Sequence, residues 1–141
     1  MNEGWYGEDY LILFSESEAV LASERYAISA LFPGYQVVGL SGWDNFILRD
    51  SLGHPYRLPT VPAVPQFLSQ FEMPKESPAL RSDERFRGKI KWYIKPIVFG
   101  GDPNAGENLT WVNHEQHADL VKWWNKTYHS VKGQTAPARH L

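Results

Sequence analysis

A chain of 141 residues, 43% hydrophobic and 21% charged, has the size and makeup of one globular domain; at about 150 residues, folding buries roughly 68–70% of the unfolded surface, enough for a core without staples. The lack of cysteine excludes a disulfide framework, a thiolate zinc site and a cysteine nucleophile. A net charge of −2 argues against a nucleic-acid surface, and no basic-then-apolar leader or long apolar run appears near the start, so no membrane association and a cytoplasmic location are expected.

In chain order, residues 10–14 form a short apolar run that reads as a strand. Ser15 followed by Glu18 is a capping box, so a helix is predicted over 16–31, with Val20, Leu21, Ala27, Ile28 and Leu31 as its buried stripe. Pro33 and Gly34 stop it. Residues 35–40 read as a strand, and 46–49 with 56–58 as a hairpin closed through Asp50, Ser51, Leu52 and Gly53. Pro59, Pro62 and Pro65 predict an irregular stretch, residues 67–71 a helical turn, and 74–88 a mobile surface loop. Residues 89–99 are the strongest strand, with Ile90, Trp92 and Ile94 on one face and a bend or edge at Pro96.

A glycine-rich turn over 100–106 and a strand over 109–112 lead to Asn113 and Gln116, a second capping box. The helix it starts carries His117, Leu120, Val121, Trp124, Tyr128 and Val131 on one face and is expected to end at Gly133. The fold class expected is α+β: a mainly antiparallel sheet with the first and last helices packed on it, one domain over 1–133 and a flexible tail over 134–141.

The titratable residues do not assemble into catalytic chemistry. His114, Glu115, Gln116 and His117 resemble a zinc-protease motif, but the histidines are three apart rather than four, so His117 reads as a packed histidine and no metal site is expected. The glycines of 100–106 lack the Lys-Ser/Thr ending of a phosphate loop, and Asp102 would repel phosphate. Asp83 and Glu84 sit among Arg81, Arg85 and Arg87 as a solvated charge cluster. No enzyme activity and no cofactor are expected.

Two features suggest partner binding instead. Residues 1–50 hold eight acids and two bases, net −6, against +4 for the rest; Glu16, Glu18 and Glu24 would form an acidic helix flank, able to steer a basic partner or simply solvated. Trp43, beside Asp44, and Trp123, about 100° from the apolar stripe of the last helix, read either as interface anchors or as partly buried rings.

The segments Lys95-Pro96-Ile97-Val98-Phe99-Gly100-Gly101-Asp102-Pro103, Glu107-Asn108-Leu109-Thr110-Trp111-Val112, and His117 with Val121-Lys122-Trp123-Trp124-Asn125 resemble the C-terminal strand, loop and helix of the SUKH superfamily, bacterial immunity proteins related to yeast Smi and Knr proteins. Trp43-Asp44-Asn45-Phe46 with Asp50, Gly53, Tyr56 and Leu58-Pro59 is similar to its central hairpin. The N-terminus departs from the family pattern: Phe32-Pro33-Gly34-Tyr35 matches loosely, and a strand-like run precedes the helix. The resemblance, over about residues 32–131, implies an α+β domain that binds a polymorphic toxin, nuclease or deaminase among the known classes, and occludes its active site during bacterial competition. Glu16, Glu18, Glu24, Trp43, Asp44 and Trp123 are the candidate partner-binding residues. The alternative is a regulatory or scaffolding module with a host partner.

Overall fold

Each strand of the larger sheet pairs with its sequence neighbour, through tight turns after the first, third and fourth strands and through a helical connection after the second. The structure is a computed structural model; it describes residues 1–73 and 79–139, with side chains to residue 131. Strands β1 (Asn2–Tyr6), β2 (Asp9–Leu13), β3 (Gln36–Ser41), β4 (Asn45–Arg49), β5 (Pro55–Pro59) and β6 (Ser69–Gln70) form a six-stranded antiparallel sheet in sequence order. A second sheet pairs β7 (Ile90–Tyr93) with β8 (Leu109–Val112). With α1 (Glu16–Arg25), α2 (Ile28–Leu31) and α3 (His114–Arg139), the architecture is α+β, as expected.

Strand alternation sorts the core. Tyr10, Ile12, Phe46 and Leu48 join the main cluster with Tyr26, Ile28, Ile90, Trp92, Ala118 and Val121; the intervening Leu11 and Ile47 belong to a smaller one with Ala19 and Val38. The hairpin β4–β5 closes as expected, with Gly53 at φ +89°.

Several expectations are corrected. The helical turn expected over 67–71 is instead a 3₁₀ turn, Pro65–Phe67, followed by β6. The helix expected over 16–31 breaks at Ala27, which takes left-handed backbone at φ +53°, and restarts as α2. Ala19, Ala22 and Tyr26, spaced three and four apart, face inward on this segment, so Val20 and Leu21 stay 49% and 54% exposed. The strand expected over 89–99 stops at Tyr93; Ile94 is exposed, and past Pro96 the chain makes a 3₁₀ turn, Ile97–Phe99.

Of the expected loop over 74–88, residues 74–78 lie outside the described residues, while the rest is anchored: Arg81 bridges to Trp5, and Phe86 enters an aromatic cluster. The last helix runs through Gly133 to Arg139. Among the described residues, no helix is long and apolar enough to cross a membrane.

Candidate interaction face

The two tryptophans that the sequence left open separate. Trp43, 8% exposed, sits in the tight β3–β4 connection with backbone at φ +62°. That left-handed conformation costs a non-glycine residue about 1–3 kcal/mol and persists only where packing imposes it. The packing here is aromatic. Trp43 stacks on Tyr10, with centroids 4.8 Å apart, and meets Phe86 and Trp111 edge-on, each at 5.3 Å. Its Nε1 is buried without a hydrogen-bond partner among the described residues.

Asp44 follows at the edge of this cluster, half-buried. Its backbone carbonyl accepts from Thr60 N–H at 2.9 Å, while burial pushes its carboxyl above the ordinary carboxylate range, opposed by the Lys91 ammonium. Lys91 Nζ lies 5.6 Å from the Trp43 ring centroid and 5.3 Å from that of Tyr93. Trp43, Asp44, Val61, Trp92, Tyr93 and Ile97 are among the residues lining a cleft of about 80 Å³. That volume is well below the roughly 300–1,000 Å³ of a drug-sized ligand site, so it suits a single side chain.

Trp123 is 58% exposed on the outer face of α3. Its ring meets Trp124 edge-on at 4.8 Å, and Trp124 in turn packs on Phe99 at 4.8 Å. Ile97 and Val98, immediately before Phe99, are exposed. The result is an apolar shelf whose floor, Phe99 and Trp124, is fixed by packing and whose top presents Ile97, Val98 and Trp123. Ile97 also lines the Trp43–Asp44 cleft, so shelf and cleft form one face. Aromatic and aliphatic surface with one carboxylate in a side-chain-sized recess is the makeup of an interface centre.

The glycine-rich turn beside this face has a structural explanation. A Cβ on Gly101 would overlap the Lys95 carbonyl, so glycine lets the loop close against the segment that follows β7. Asn108 completes the closure by accepting from Lys95 N–H at 2.8 Å and donating to Lys95 C=O at 3.0 Å.

The acidic candidates lie apart from one another in role. Glu16 and Glu24 are exposed on α1. Glu18 is held in the capping box, accepting from Ser15 N–H at 2.8 Å, with the Met1 ammonium at 2.9 Å; these contacts hold its carboxyl below the usual range. His117 is a packed histidine, fully buried, with Nδ1 2.6 Å from the Tyr26 hydroxyl, and burial pushes its pKa down to about 3. Among the described residues, no three His, Asp or Glu side chains gather so as to hold a metal ion.

Sequence reasoning placed Trp123 among the candidates but missed Ile97, Val98 and Phe99, which it assigned to a strand. Pro96 followed by three apolar residues and two glycines was the available signal, since such a run can neither continue a ladder nor bury itself in a loop. No known protein family, curated protein or solved structure matches the chain, and its function is therefore argued from this face.

Proposed function

We propose that this protein is a binding module that docks another protein on the Ile97–Val98–Trp123 shelf and the adjoining Trp43–Asp44 cleft. In the form suggested by the SUKH resemblance, it is an immunity protein whose partner is a toxin occluded at its active site. The observation that carries the reading is Trp123, 58% exposed on a helix whose inner face is packed against Phe99. A tryptophan has only two side-chain torsions to fix on binding, and such rings are enriched among residues that dominate interfaces. Glu16 and Glu24, exposed on α1, could speed the encounter with a basic partner without forming its energetic centre.

The test is retention of a partner from the producing cell by the wild-type chain and by Trp123→Ala and Ile97→Asp. Wild type should retain one protein stoichiometrically and block its activity once both are purified. Each substitution should weaken the complex by about 2 kcal/mol or more, roughly thirtyfold, with unfolding midpoints unchanged. A partner held equally by all three chains would remove this face from consideration. Small-molecule turnover by the purified chain, abolished by changing one polar side chain, would overturn the non-enzymatic reading.

A further inference from the structure

A second recess, distinct from the interaction face, lies between α1 and the start of α3. It has a volume of about 220 Å³, with Phe14, Leu21, Ala22 and Ala118 among its walls and Arg25, His114, Met1 and Glu18 among its polar or charged members. An engineered apolar cavity of roughly 150 Å³ takes benzene, so a six-membered hydrocarbon ring fits here, whereas a drug-sized ligand does not.

Arg25 is its one side-chain cation, exposed and without an ion pair among the described residues. The wall carboxylate, Glu18, is committed to Ser15 N–H and the Met1 ammonium. His114 Nε2 is shut off from water and has no hydrogen-bond partner among the described residues. Burial lowers the pKa of His114, so its ring is neutral near pH 7 and adds no positive charge to the recess. Leu21, an apolar residue left in water where the α1 sequence pattern predicts core, forms part of the wall.

We infer that this recess binds a small organic anion, with its apolar body against Phe14, Leu21, Ala22 and Ala118 and its carboxylate paired with the Arg25 guanidinium. A guanidinium matches a carboxylate through two parallel N–H···O bonds. The single charge and the size of the cavity select a monocarboxylate with one compact apolar group over a phosphate or a nucleotide.

Benzoate and its uncharged isostere benzamide are the probes, titrated into the full chain while the methyl resonances of Leu21, Ala22 and Ala118 and the His114 ring signals are followed. Benzoate should give saturable shifts at these positions and bind at least about tenfold more tightly than benzamide. Arg25→Gln, a substitution of an exposed residue, should bring benzoate down to the benzamide level while Arg25→Lys retains part of the difference. Equal binding of the two probes, undiminished benzoate binding by Arg25→Gln, shifts centred elsewhere, or no saturable response would each overturn the inference. None of these results depends on whether the Trp123 face holds a partner.

Discussion

His117 shows how one buried side chain can set the acid limit of a fold. It is enclosed by Tyr26, whose hydroxyl hydrogen-bonds Nδ1, and by the edge-on ring of Trp92 at 5.5 Å, with His114 one turn away on α3. Among the described residues no carboxylate compensates a positive charge there. Unfolded, the imidazole titrates near pH 6.5; folded, burial keeps it neutral down to about pH 3. Between those values the unfolded chain binds a proton that the native chain excludes. The stability is fully present above pH 6.5 and is lost as pH falls toward 3, at a rate of up to about 1.4 kcal/mol per pH unit. Burial lowers His114 in the same direction. Denaturant melts of wild type and His117→Gln between pH 7.5 and 4.5 test this. The variant, whose amide can still accept from Tyr26, should show a shallower decline by about one proton; identical slopes would mean that His117 is not the titrating group.

Where elements are positioned by their own sequence, they were readable; where a distant residue positions them, they were not. Both helix starts follow from local chemistry: Ser15 with Glu18, and Asn113 with Gln116, exchange reciprocal hydrogen bonds three residues apart. The β3–β4 and β4–β5 pairings follow from short connections in the same way. Strand β1 escaped notice because Asn2, Glu3 and Gly4 favour strands poorly; pairing with β2 and the bridge from Arg81 hold it in place. Trp123 was readable as off the helix stripe, but its exposure depended on which neighbours arrived.

The largest omission is Asn125, which no periodicity marks as special. It is buried on α3, accepts from Ala63 N–H at 2.8 Å and donates to Thr60 C=O at 2.8 Å. This one amide ties the helix to the proline-rich stretch whose backbone has no sheet partner there. Asn125→Ala should leave two buried backbone groups unpaired, at roughly 1–3 kcal/mol each, for a loss of about 2–6 kcal/mol. Chemical denaturation would read it, and a loss below about 1 kcal/mol would show that water replaces the amide.

The two sheets are joined through aromatic rings rather than through backbone pairing. Tyr10 on β2 and Trp43 between β3 and β4 stack at 4.8 Å, Phe86 and Trp111 on β8 stack at 4.9 Å, and Trp43 meets both members of the second pair edge-on. Trp5 closes the group, its ring 5.3 Å from Tyr10 and its Nε1 donating to Asp83 at 3.1 Å. Such contacts add about 0.5–1.5 kcal/mol per pair beyond burial, so Trp43 couples the two regions alongside the Tyr10–Phe86 and Trp5–Phe86 contacts. Trp43→Ala should therefore cost about 3–5 kcal/mol, a large share of the 5–15 kcal/mol that holds an ordinary domain together. Trp123→Ala, which removes a ring from water, should stay within about 0.5 kcal/mol. Guanidinium unfolding curves of the two variants separate a residue that builds the platform from one that the platform displays. Comparable stability losses in both would mean that Trp123 is packed, and the interaction face would lose its anchor.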